Sequence, residues 1–256
     1  MNDFKEEKVI WEAQIREEYK KFSKFIGSDQ LPKFNIEFVD PTIEDINYGM
    51  KVKYSQSTTL KINMGFMIRG HFQAMLFHEF THLWDNAVLC NNKDEKTKRK
   101  ILSLYSEYHA SQIEFLKFIG CDELNSNKKV APTDTFEHNG EKHTVQQYFE
   151  SKIEFLEEAL DKYQTNRSPK TFKSVVNGYM YLLGTKEAYS KHVGPISIPV
   201  FNDIFYEQMM MTYFCLSSLE GDRMFEILLK ARALLDKTFI NDYLTWKKSS
   251  AKGDQP

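Results

Sequence analysis

The spacing of apolar residues changes several times along the chain, and each change predicts an element. Across residues 3–26, Phe4, Ile15, Tyr19, Phe22 and the Phe25–Ile26 pair recur at helical spacing among Lys and Glu. This predicts an amphipathic helix that stops at Gly27. The period then drops to two. Residues 34–39 alternate and end at Asp40–Pro41; residues 47–54 alternate through Tyr48, Met50, Val52 and Tyr54; residues 58–63 alternate and are rich in β-branched side chains. Each reads as a strand. From 68 to 89 the helical period returns through Phe72, Met75, Leu76, Leu83 and Val88, with no proline and with Gly70 near the start. A polar loop at 91–96 leads to a further helix over 97–118 that closes near Gly120.

Beyond Cys121 the helical pattern lapses until His143, and an Asn139–Gly140 centre predicts a hairpin between residues 135 and 143. Thr144 with Gln147 three residues on is a capping box for a helix to about Tyr163. Ser168–Pro169 opens another to about His192, in which Gly178 and Gly184 mark close packing. Pro195 and Pro199 hold residues 193–200 extended, and two more helices are expected near 203–217 and 221–247. The order helix, small sheet, helix, then mostly helices predicts an α+β protein. Its expected parts are a core over 1–120, a loop and hairpin connection over 121–143, a helical region over 144–247 and a frayed tail over 248–256.

Composition narrows the function classes. A net charge of −2 supplies no basic field for nucleic acid. Cys90, Cys121 and Cys215 are odd in number and widely spaced, against both a disulfide framework and a cysteine zinc site. The charged amino terminus has no apolar leader, and Met209–Leu216, the densest apolar run, is far too short to span a bilayer. A cytoplasmic protein with no membrane partner is the expectation, with Met209–Met211 as buried packing.

The candidate chemistry lies in the 68–89 helix, at His78-Glu79-Phe80-Thr81-His82. Residues four apart share a helical face, so both imidazoles can take corners of one tetrahedral Zn²⁺ site. Glu79, one step from His78, falls beside the metal, where a carboxylate can receive a proton from water. On the next helix, 25 residues beyond His82, comes Glu107, followed by Ala110 and Ser111.

A strand, a short connection through Gly65, a buried helix carrying H-E-x-x-H and then this downstream glutamate resemble the gluzincin branch of the zincin metallopeptidases. The likeness covers residues 34–118 and extends loosely to the small intracellular zincins of bacteria and phages. It implies that His78, His82 and Glu107 hold Zn²⁺, that Glu79 is the general base, and that a peptide or protein substrate is hydrolysed. It also implies that the substrate lies as an added strand along residues 58–63. The family places an Asp where this chain has Ser111, which leaves the partner of a zinc histidine unassigned.

Glu114, seven residues past Glu107 on nearly the same face, is a rival third ligand. His109 points away from Glu107, and Asp85 is a partner acid or a surface one. Zincins usually add a Tyr or His to steady the oxyanion, and His192, Tyr181 and His71 are the candidates here. The bland readings are a core Tyr181 and a His192 that simply complements its helix end. His138 and His143, flanking the hairpin turn, read as exposed. The competing function is a zinc- or peptide-binding module of regulatory or toxin/immunity type that does not cut.

Overall fold

The computed structural model describes residues 4–29, 31–39, 50–53, 58–69, 72–89, 95–138, 140–166 and 168–196. The helices expected at 203–217 and 221–247, the tail, the Met209–Met211 run and His71 lie outside them. The protein is a mixed helix and sheet fold. Helix α1 (Lys5–Ile26) ends where Gly27 turns left-handed at φ 67°, as its sequence requires. Strands β1 (Asn35–Val39), β2 (Met50–Lys53) and β3 (Thr59–Asn63) form one sheet in the order β1-β3-β2, with β1 parallel and β2 antiparallel to β3. Leu60 and Ile62 are fully buried while Thr59, Lys61 and Asn63 are half-buried, so the alternation of β3 sets its inner face.

Three expectations change. β3 is the central strand and is bonded on both sides, so no substrate can pair with residues 58–63. The 68–89 helix is also divided, into α2 (Met64–Arg69) and α3 (Gln73–Leu89), with the poor helix former Gly70 falling between them in sequence. Gly65 is not a connection but part of α2, and its N–H donates to the Asn63 side chain at 2.8 Å.

Helix α4 (Glu95–Phe118) follows, then the hairpin of β4 (Thr135–His138) and β5 (Glu141–Thr144), whose turn uses Gly140 at φ 84°. The expected Thr144–Gln147 capping box starts α5 (Val145–Thr165), and the Ser168–Pro169 start of α6 (Pro169–His192) carries a second box, between Ser168 and Thr171. Phe22 of α1 packs edge-on against Phe77 of α3 at 5.4 Å, and α4 lies between α3 and α6. One hydrophobic cluster runs from Trp11 through Phe77, Phe80 and Phe115 to Tyr189, with side chains from both sides of residue 120. No helix among the described residues is long and apolar enough to cross a membrane.

Candidate metal centre

Helix α3 turns its phenylalanines and its histidines in different directions. Phe77 and Phe80 are fully buried against α1, while His78 and Glu79 are 9% exposed on a flank facing α4. Contacts between the two helices run in opposite order, His78 with Glu114 and His82 with Ser106, so α3 and α4 are antiparallel neighbours. Between them Glu107 Oε2 stands 3.4 Å from His78 Nε2 and 3.4 Å from His82 Nε2. The donor atoms of His78, Glu79 and His82 lie within 4.8 Å of one another, a group that can hold a metal ion.

The far side of each ring is also fixed. His78 Nδ1 is 2.9 Å from Glu114 Oε2, and His82 Nδ1 is 2.6 Å from Ser106 Oγ. An Nδ1–H donated to these oxygens leaves each Nε2 on the Glu107 side, where a neutral ring presents its lone pair. Glu114 is therefore behind His78, on the opposite ring nitrogen from Glu107, and is not the third member of the front group. It takes the place that the resemblance gave to an Asp at position 111. Ser111 instead donates back to the Glu107 carbonyl at 2.8 Å within its own helix. On antiparallel helices the residue that meets His78 must lie further along α4 than the one that meets both rings, and Glu114 lies two turns past Glu107.

The electrostatics show a cluster that calls for positive charge. Burial would lower the His78 pKa, but the Glu107 and Glu114 carboxylates more than offset it and raise it to about 10. His82 is raised too, burial opposing and Glu107 prevailing. Burial pushes the Glu107 carboxyl up, yet the two imidazoles hold it well below the usual range. Glu114 is likewise held low against its burial, by Lys152 and His78. Tyr181 of α6 completes the surroundings, its ring 5.8 Å from that of His78. Burial and the nearby Glu107, Glu79 and Glu114 carboxylates raise its pKa far above 10, so its hydroxyl keeps a proton to donate.

The remaining candidates lie elsewhere. His192 is buried at the end of α6, its Nδ1 donating to the Lys128 carbonyl at 2.7 Å. Eleven residues past Tyr181, it is about 16 Å further along the helix, which removes it as an oxyanion donor. His109 pairs with Asp85 at 2.8 Å, and Asp85 is buried, so it is not a surface acid. His143 is a third exposed beside Glu141. His138, expected to be exposed, is half-buried against Phe118 and Tyr148, and burial lowers its pKa to about 4. Ser106, Tyr148 and Lys152 carry no motif signature, yet all three support the histidines or Glu114. The available signal is a lysine at 152 that interrupts the apolar face of α5 formed by Val145, Tyr148, Phe149, Leu156 and Ala159.

Comparison with protein-family models, with curated proteins and with solved structures finds no match for this chain. The functional reading therefore rests on the site.

The donor set fits a divalent metal ion on three grounds. Glu107 Oε2 is buried and makes no hydrogen bond, since 3.4 Å is too long for a good one. A tetrahedral ion with bonds of about 2.1 Å spaces its ligands about 3.4 Å apart, the separation found here from Glu107 Oε2 to each Nε2. Finally, once both imidazoles are neutral, as metal ligands must be, the ionised Glu79, Glu107 and Glu114 outweigh the adjacent Lys152 by two negative charges, which a divalent cation neutralises.

Proposed function

We propose that this protein is a zinc-dependent peptidase of the gluzincin type, with His78, His82 and Glu107 as metal ligands and Glu79 as general base. The observation that carries the reading is the convergence of Glu107 Oε2 on both Nε2 atoms at 3.4 Å, from a different helix. When bound, Zn²⁺ supplies Lewis acidity, lowering the pKa of a water and polarising a scissile carbonyl. The chain's own residues do the rest. Glu79, adjacent to both imidazoles, receives the proton of the attacking water and delivers it to the leaving amine. Tyr181, protonated and beside His78, donates its hydroxyl to the developing oxyanion. Glu114 and Ser106 keep the rings turned with Nε2 forward.

An extended peptide substrate would add to the sheet at an outer edge. β2 is the edge strand that approaches α3, and its antiparallel pairing with β3 leaves its other side as the docking edge among the described residues. The test joins metal analysis of the purified protein to a peptide-library cleavage profile, for the parent and for Glu79→Gln. The expected result is about one Zn²⁺ per chain in both, with cleavage lowered roughly 10²–10⁴-fold in the variant. Cleavage at the parental rate by Glu79→Gln would refute the mechanism. Zinc without any cleavage by the parent would favour the binding-module reading.

A further inference from the structure

We propose that Lys152, on α5, is a positioning residue for the metal centre: it holds Glu114 in the orientation that aims His78 at the metal, although it touches no ligand. The inference rests on the metal-centre reading and extends it to a helix outside the H-E-x-x-H and Glu107 pattern.

Glu114 has both oxygens engaged. Oε2 faces His78 Nδ1 at 2.9 Å, while Oε1 accepts from the Tyr148 hydroxyl at 2.7 Å and from Lys152 Nζ at 3.1 Å. Tyr148 and Lys152 are four apart on α5, so one face of that helix presents both donors to the same oxygen. Lys152 Nζ also lies 4.7 Å from the centre of the Tyr148 ring, a cation–π contact that fixes the tyrosine against the lysine. A carboxylate held at one oxygen by two donors cannot rotate, and its second oxygen then fixes the His78 ring. That ring, so held, directs Nε2 to the Glu107 side.

A simple packing role does not explain this lysine well. Its side chain is 17% exposed and that of Glu114 is 9% exposed, so both have given up most of their hydration. A buried ion pair returns little net stability compared with apolar side chains of the same volume. The face of α5 that carries it is otherwise apolar, with Val145, Phe149 and Leu156 fully buried, and a leucine or methionine would continue it. What an apolar residue cannot supply is a positive charge on Glu114. Nor can it supply the N–H donor that, with the Tyr148 hydroxyl, holds Glu114 Oε1 so that Oε2 faces His78 Nδ1, and outer partners of metal-bound histidines affect affinity measurably.

The experiment measures Zn²⁺ affinity by chelator competition at one fixed pH, and the d–d absorption of the Co²⁺-loaded protein, for the full chain. Lys152→Met should bind Zn²⁺ about 10-fold more weakly with an altered Co²⁺ spectrum, and Glu114→Gln up to about 100-fold more weakly. Lys152→Arg should restore most of the affinity, because it returns the charge and a donor. A Lys152→Met protein with parental Zn²⁺ affinity and Co²⁺ spectrum overturns the proposal, even where its melting temperature falls, since that pattern belongs to a stability contact. Where Lys152→Met fails to fold, Tyr148→Phe carries the test through the other donor to the same oxygen. A several-fold loss of Zn²⁺ affinity in Tyr148→Phe supports the proposal, and unchanged affinity overturns it. His82→Ala is the control: retained zinc there overturns the metal centre itself, whereas lost zinc there with parental affinity in Lys152→Met overturns only the role of α5.

Discussion

Gly184 is a tight point in the helix that brings Tyr181 to the site. It sits where α6 crosses α4, and a Cβ added to it would overlap the Tyr108 carbonyl oxygen, 3.0 Å from the carbonyl carbon and 3.1 Å from Ser111 Cβ. Carbon atoms settle at about 3.5–4.0 Å and the oxygen overlap is deeper than the carbon contacts, so Gly184→Ala must push α6 away from α4 by about 1 Å or more. The obstruction is mostly backbone and cannot rotate aside. Overpacking costs about 1–3 kcal/mol, and the overlap with rigid backbone puts this case in the upper part of that range, about 2–3 kcal/mol. The better helix propensity of alanine returns about 1 kcal/mol, leaving a net loss of about 1–2 kcal/mol. For a chain of this size that lowers Tm by roughly 3–6 °C, measured by thermal unfolding at fixed zinc and protein concentration.

The functional consequence of Gly184→Ala should exceed the stability loss. Tyr181 lies one turn before Gly184 on the same helical face, so it moves with the crossing, while the proposed ligands on α3 and α4 do not. In the peptidase reading kcat falls up to about 10²-fold, as misplacement by about 1 Å can produce, with zinc content unchanged. Gly178→Ala is the milder comparison, because its Cβ would meet Leu156 Cδ1 at 3.2 Å and Leu156 Cα at 3.3 Å. A Gly184→Ala protein as stable as the parent, with parental kcat, would show that α6 does not approach α4 this closely and would break the link between the crossing and Tyr181.

The other predictions concern the site directly. His82→Ala and Glu107→Gln should each lose zinc, read by metal analysis after dialysis, and full occupancy in Glu107→Gln would return the third-ligand position to another residue. Tyr181→Phe should keep zinc and lower kcat about 10²–10³-fold with little change in KM, the effect of losing one oxyanion donor. His192→Ala should leave kcat unchanged and destabilise the fold by about 1–3 kcal/mol in urea unfolding, because the Lys128 carbonyl loses its buried donor.

Sequence reading worked best where the signal was local. The Gly27 stop, the Asn139–Gly140 turn, the Thr144–Gln147 capping box and the Ser168–Pro169 start each depend on residues within a few positions of one another, and the corresponding elements begin and end where those signals stand. The order of strands was not legible. Alternation says that residues 59–63 form a half-buried strand, but not that β1 and β2 flank it on both sides, since strand neighbours are chosen by packing over long separations. The division of the 68–89 helix shows the same limit: a hydrophobic stripe on both sides of Gly70 keeps its period whether or not the backbone is continuous.

The site follows the same rule. His78 and His82 are one helical turn apart, so their shared face follows from helix geometry alone. Glu107 and Glu114 are on one face of the next helix, and sequence cannot say which meets the front of the rings. The antiparallel contact of α3 with α4 decides it, carrying Glu114 to the Nδ1 side of His78 and Glu107 to the Nε2 side of both rings. The remaining parts come from further still: Tyr148 and Lys152 from α5, and Tyr181 from α6. Residues 34–118 therefore hold the proposed ligands but not the site. Without Lys152 the buried carboxylates lose their adjacent lysine charge, and without Tyr181 the front of His78 loses its proton donor. In the proposed reading the helices beyond residue 120 take part in the chemistry, and the close crossing of α6 on α4 at Gly184 is what carries Tyr181 to the site.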